Sequence, residues 1–87
     1  MYSFVIRPKV DKIFSKLSKK NPTQLGIIYR KLEEIVQNPH HYKNLRKPLQ
    51  HLKRVHIGKS FVLVFFVDEE HKVVIIENFD HHDNIYF

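Results

Sequence analysis

Seven consecutive apolar residues, Phe61 to Val67, constrain this chain more than any other stretch. A run with no polar position has no wet face, so it predicts a strand in the middle of a sheet with protein on both sides. It is far short of the roughly 20 residues of a membrane-spanning helix, and the N-terminus lacks a basic-then-apolar signal pattern. No membrane partner is therefore expected. The chain has 87 residues, 43% of them hydrophobic. That is enough for one core, so residues 1–87 are expected to form a single domain.

The segments around this strand change period at prolines. Tyr2 to Arg7 alternates as a short strand and is closed by Pro8. From Pro8 onward Val10, Ile13, Phe14 and Leu17 recur at helical spacing, with Lys9, Lys12, Lys16 and Lys19 on the outer side. Asn21-Pro22 is an N-cap followed by a first-turn proline. The next apolar stripe is Leu25, Ile28, Leu32 and Ile35, widened by Tyr29 and Val36, and it stops at Asn38-Pro39. Two helices so closely linked must lie antiparallel. After a connector from His40 to Gln50, three strands are predicted at Leu52 to Ile57, Phe61 to Val67 and Val73 to Phe79, with links short enough for hairpins. The expected fold is α+β and two-layered: an N-terminal strand, an antiparallel helical hairpin, and an antiparallel three-stranded meander forming one sheet.

Composition removes several chemistries. There is no Cys, which excludes disulfides, thiol nucleophiles, iron–sulfur clusters and Cys-ligated zinc, and suits a reducing, cytoplasmic setting. Two glycines cannot build a phosphate-cradling loop. The net charge of +6 is unevenly spread: fourteen of the fifteen Lys and Arg lie in residues 1–59, against three of the nine acidic residues. Such a concentration selects polyanionic partners, either nucleic acid or an acidic protein masking the same surface.

Strand alternation assigns Val55 and Ile57 to the core and Arg54 and His56 to the opposite face. Lys53, on the core side, is expected at the sheet edge with its amine reaching out to water. Seven histidines include the adjacent pairs His40-His41 and His81-His82. Neighbouring histidines on extended backbone point apart, and the usual metal-ligand spacings are absent, so neither a metal nor a cofactor is expected. Proton transfer on RNA fits better. A base takes the 2′-hydroxyl proton, a cation holds the phosphate and an acid protonates the departing 5′-oxygen. His56, Arg54 and His82 supply those three functions if the C-terminal tail returns beside the first strand of the meander. His40, His41, His51, His71 and His81 are left as surface or structural residues.

The order of elements resembles the RelE/ParE toxin superfamily across essentially the whole chain. Leu45-Arg46-Lys47 followed by Leu52-Lys53-Arg54-Val55-His56-Ile57-Gly58 is similar to the family's Leu-Arg-Gly stretch and its basic, apolar, basic, apolar, Gly strand. His81-His82-Asp83-Asn84-Ile85-Tyr86 stands where the family often has His-Arg-x-x-Val-Tyr. The nearest resemblance is to archaeal RelE-type mRNA interferases. It implies the toxin of a type II toxin–antitoxin pair, a ribosome-dependent endoribonuclease that cuts mRNA in the decoding site without a metal. Arg54 and His56 would take the strand's two basic positions, His82 the family's Arg, Tyr86 the base-stacking Tyr, and Arg46 a position that grips ribosomal RNA. Lys47, Lys53 and Lys59 would complete the RNA-binding set. Val62 departs from the family, which usually has an Arg there, and Lys59 is the cation nearest to replacing it. The implied partners are the ribosome, mRNA and an acidic RelB-like antitoxin in a hetero-oligomer. The alternatives are a ParE-like inhibitor of DNA gyrase and a non-catalytic RNA- or protein-binding relative.

Overall fold

The computed structural model describes residues 1–85 and places the apolar run inside a four-stranded mixed sheet. In chain order the strands are β1 (Ser3–Ile6), β2 (Lys53–Ile57), β3 (Phe61–Asp68) and β4 (Val73–His81), and they lie side by side as β1-β4-β3-β2. β2, β3 and β4 form the expected antiparallel meander, and β1 pairs in parallel with β4. The crossover between them includes α1 (Pro8–Lys20) and α2 (Pro22–Gln37). Among the described residues no helix is long and apolar enough to cross a membrane.

Asn21 makes the helical hairpin tight. Its N–H donates to the Leu17 carbonyl at 2.8 Å, closing α1, while its side-chain Oδ1 accepts from Gln24 N at 3.1 Å, opening α2. The helices lay Val10, Phe14, Ile28, Leu32 and Ile35 on the sheet face that carries Val55, Ile57, Leu63, Phe65, Val74, Ile76 and Phe79. On the other face Leu45, Val62 and Val64 form a second buried cluster with Leu52 and Ile85 packed against it. β3 is thus covered on both faces along Val62 to Phe65, as its composition demands. Gly58 turns β2 into β3 at a φ of +66°, a conformation that favours glycine.

An exposed clasp ties the N-terminus to the β3–β4 hairpin. Glu69 accepts from Lys72 Nζ at 2.9 Å and from the Tyr2 hydroxyl at 2.7 Å, and also pairs with His40 Nε2. These partners, the Lys72 ammonium foremost, hold the Glu69 carboxyl at about 2, below its ordinary 4.5. A carboxylate depressed on folding stabilises the fold above its unfolded value, and that contribution is lost as pH falls through the folded value. Glu69→Gln is therefore expected to flatten the fall in stability between about pH 4.5 and about pH 2. Urea midpoints of both proteins across that window check it; parallel curves would rule the clasp out.

Candidate functional site

Edge strand β2 turns Arg54 and His56 to the face away from the helices, while Val55 and Ile57 enter the main core. Arg54 Nη1 lies 3.2 Å from His56 Nε2, so a cation and an imidazole already share one place on an accessible surface. The connector folds against this end of β2: Leu45 N donates to Leu52 O at 2.8 Å, and Arg54 N donates to Lys43 O at 3.0 Å. With Leu45 anchored in the second cluster, the exposed Arg46 and Lys47 border a cleft of about 650 Å³ that Arg54 and Ile85 also line. Lys59 is exposed beside Gly58 in the turn.

Lys53 is not brought to this face. Its side chain belongs to the helix-covered side of the sheet edge, where Nζ donates to Tyr42 O at 3.2 Å and to Asn44 Oδ1 at 3.1 Å. The amine does reach outward at the edge, as expected, but away from Arg54 and His56. Val62, at the position where the resemblance led to an Arg, is fully buried with Leu45 and Val64 and offers no polar surface.

β4 extends two residues past its expected end at Phe79 and is followed at once by α3 (His82–Ile85). His82 N donates to Ser60 O at 2.8 Å, which fixes the tail beside the β2–β3 turn. In register, His56 faces Val62 and Val62 faces Asp80. The tail therefore returns next to β3, two strand spacings or about 10 Å from β2. Ile85 bridges the two halves by packing on the cluster of Leu45, Val62 and Val64. Tyr86 lies outside the described residues.

The expectation that His81 and His82 point apart is overturned. Extended backbone ends at His81 and helical backbone begins at His82, so the two rings do not alternate across a strand. They stack instead, with centroids 4.5 Å apart and 29° between planes. Asp83 joins them: its carboxylate oxygens lie 3.0 Å from His82 Nδ1 and 3.5 Å from His81 Nδ1. Asp80 secures the turn, its Oδ1 accepting from His81 N at 2.7 Å and from Asn84 Nδ2 at 3.0 Å. Asp80 and Asp83 match no catalytic or ligand motif in the sequence. Their only signal was the presence of short polar residues at a strand end, where such side chains bond to nearby backbone.

Comparison with known proteins bears on this arrangement. The family model described as the ParE toxin of the type II toxin–antitoxin system parDE matches residues 7–86. A Methanocaldococcus jannaschii protein named "Putative toxin RelE4" is 64% identical over 86 residues, covering 99% of this chain and 92% of the relative. A chain of the Mycobacterium tuberculosis RelBE2 toxin–antitoxin complex superposes with a TM-score of 0.78 at 22% identity, covering 92% of this chain and 96% of that one. A mutant of the Escherichia coli toxin RelE in its free state gives 0.76 at 20% identity, with 95% and 85% covered. At those identities the two structures speak for the fold, which is RelE-like, and the family match and the archaeal relative speak for descent: the chain belongs to the RelE/ParE family of type II toxins.

Proposed function

We propose that this toxin is an endoribonuclease that cuts mRNA in the ribosomal decoding site by acid–base attack of a 2′-hydroxyl on the adjacent phosphate. The observation that carries the reading is the contact between Arg54 and His56 on the exposed sheet face, at the mouth of a cleft bordered by further cations. His56 takes the 2′-hydroxyl proton, and the oxygen attacks phosphorus. Arg54 neutralises the phosphoryl oxygens, whose charge grows as the bond to the 5′-oxygen breaks. His82 protonates that departing oxygen, leaving a 2′,3′-cyclic phosphate and a 5′-hydroxyl. The two histidines can exchange roles, because an imidazole serves as a base and its protonated form as an acid. Tyr86 stacks on a base of the bound codon. The test is incubation of the full chain with programmed ribosomes. Cleavage within the decoding-site codon is expected, and intact mRNA with the toxin bound would overturn the reading.

Arg46, Lys47, Arg54 and Lys59 form the RNA-binding set on this reading, with Lys53 outside it. Four phosphate contacts to a single strand give a slope of about −3 for log affinity against log salt, so RNA binding should weaken about 50-fold between roughly 50 and 200 mM salt. Filter binding across that range checks this. An acidic antitoxin covering the same cations should abolish binding, and unchanged RNA binding in the complex would refute charge masking. The RelBE2 neighbour, solved as a toxin–antitoxin complex, supports such a partner. The description of the matching family as ParE toxins favours a second reading, inhibition of DNA gyrase. A block of DNA supercoiling without RNA cleavage would select it.

A further inference from the structure

We propose that His81, His82 and Asp83 form a binding site for a zinc-type divalent transition ion, and that occupancy silences the toxin by capturing His82. The inference about silencing rests on the role given to His82 above; the site itself rests on geometry. One ligand atom from each of the three residues lies within 4.8 Å of the others. Tetrahedral zinc with bonds near 2.1 Å needs donors about 3.4 Å apart. Asp83 Oδ1 lies 3.0 Å from His82 Nδ1 and the other carboxylate oxygen, Oδ2, lies 3.5 Å from His81 Nδ1, so small side-chain rotations bring one oxygen and both rings to that spacing.

The rings are also held in place. The N–H of Asp83 donates to His81 Nδ1 at 3.2 Å, so that nitrogen carries a lone pair rather than a proton, and an ion bound there takes the place of this N–H. The His81 ring is held edge-on against Phe61, with centroids 5.7 Å apart, and the His82 backbone is anchored to Ser60. Little ordering is left for the ion to impose. Two imidazoles and a carboxylate suit zinc, nickel or copper, whereas magnesium and calcium require shells built of oxygen. The site is open to solvent, so water completes the coordination. With its Nδ1 lone pair given to a metal, the ring keeps its one proton on Nε2 and cannot become imidazolium, so it neither takes up a proton nor offers the acidic one, and the ion fixes the ring in place. Capture of His82 therefore removes one of the two proton-transfer groups.

The test uses the metal-free full chain and zinc chloride. Titration calorimetry of the wild type should show one saturable zinc per chain. His81→Ala and, as a second and more exposed replacement, Asp83→Asn should each weaken binding by at least about tenfold, since each removes one of three ligands. On programmed ribosomes, zinc should suppress wild-type cleavage in step with occupancy and a chelator should restore it, while His81→Ala cleaves with or without zinc. Absence of saturable binding, or equal affinity in both variants, overturns the site. Binding without loss of cleavage overturns the silencing. If the metal-free wild type does not cleave at all, it is the nuclease reading that fails, and the calorimetry still decides the metal site.

Discussion

Replacing His56 by alanine is expected to lower mRNA cleavage on programmed ribosomes by about 10²–10⁴-fold, the contribution of a well-placed acid–base group. The fold should survive, because His56 is exposed on an edge strand and substitutions at such positions usually shift stability by no more than about 0.5 kcal/mol. A loss of activity with an unchanged urea midpoint separates chemistry from folding. His82→Ala should cost a similar factor. The two losses should not multiply, since a proton-transfer pair acts as a unit. The pH–rate profile tells the roles apart: the wild type should give a bell, and each single variant should lose one limb of it. Arg54→Ala should lower cleavage by about 10²–10³-fold, as removal of a charge-stabilising donor does, without displacing either limb. Full activity in His56→Ala would remove β2 from the mechanism. Full activity in His82→Ala would remove α3 and, with it, the silencing ascribed to zinc.

The parts of this molecule that were legible in its sequence are those governed by local period and by capping. Phe61 to Val67 announced a doubly covered strand, and both covers are present over Val62 to Phe65. Asn21-Pro22 marked a helix junction that a single side chain builds. The alternation from Arg54 to Ile57 sorted catalytic candidates from core correctly. What stayed hidden depends on contacts distant in sequence, or on elements too short to have a period. The parallel pairing of β1 with β4 joins residues about seventy positions apart, such as Ser3 and Val73. A four-residue helix at His82–Ile85 shows no recurrence that could be recognised, yet it decides that two histidines stack rather than diverge. Alternation alone puts Lys53 at the core-side edge, where its amine bonds Tyr42 O; the RNA-binding role implied for it by the resemblance conflicts with that pleat. The clasp at Glu69 gathers Tyr2, His40 and Lys72, three residues with no common pattern.

Phe65→Ala should destabilise the fold by about 3–5 kcal/mol, the usual range for deleting a buried aromatic ring. Phe65 is fully buried in β3, opposite Lys53 on one side and Ile76 on the other, with its ring 5.8 Å from that of Tyr42 in an edge-on contact. At about 0.05–0.15 kcal/mol per residue, a chain of this length has only some 4–13 kcal/mol in total. The substitution therefore consumes a large share of it, and a measurably larger unfolded population than in the wild type is expected at 37 °C. Phe66 supplies the control. It is one residue further along and on the opposite face, beyond the cover given by Leu45 and Ile85, where the Arg7 guanidinium lies 5.9 Å from its ring centroid. Being only partly buried, it should cost less than about half as much when truncated, because the transfer term scales with the area removed from water and little cavity is left behind. Urea unfolding of the two variants measures the difference directly, and equal losses would contradict the assignment of Phe66 to an open face. The result also bears on cleavage. β3 is the strand that holds β2, with Arg54 and His56, at its distance from the turn that carries His82. Phe65→Ala should therefore lower cleavage in proportion to the folded fraction and leave the pH–rate profile unmoved, whereas the histidine variants change the profile and leave the folded fraction alone. A partner that binds only the folded chain, such as an antitoxin, should restore the folded fraction of Phe65→Ala by mass action, by about 2.7 kcal/mol at a hundredfold excess over its dissociation constant.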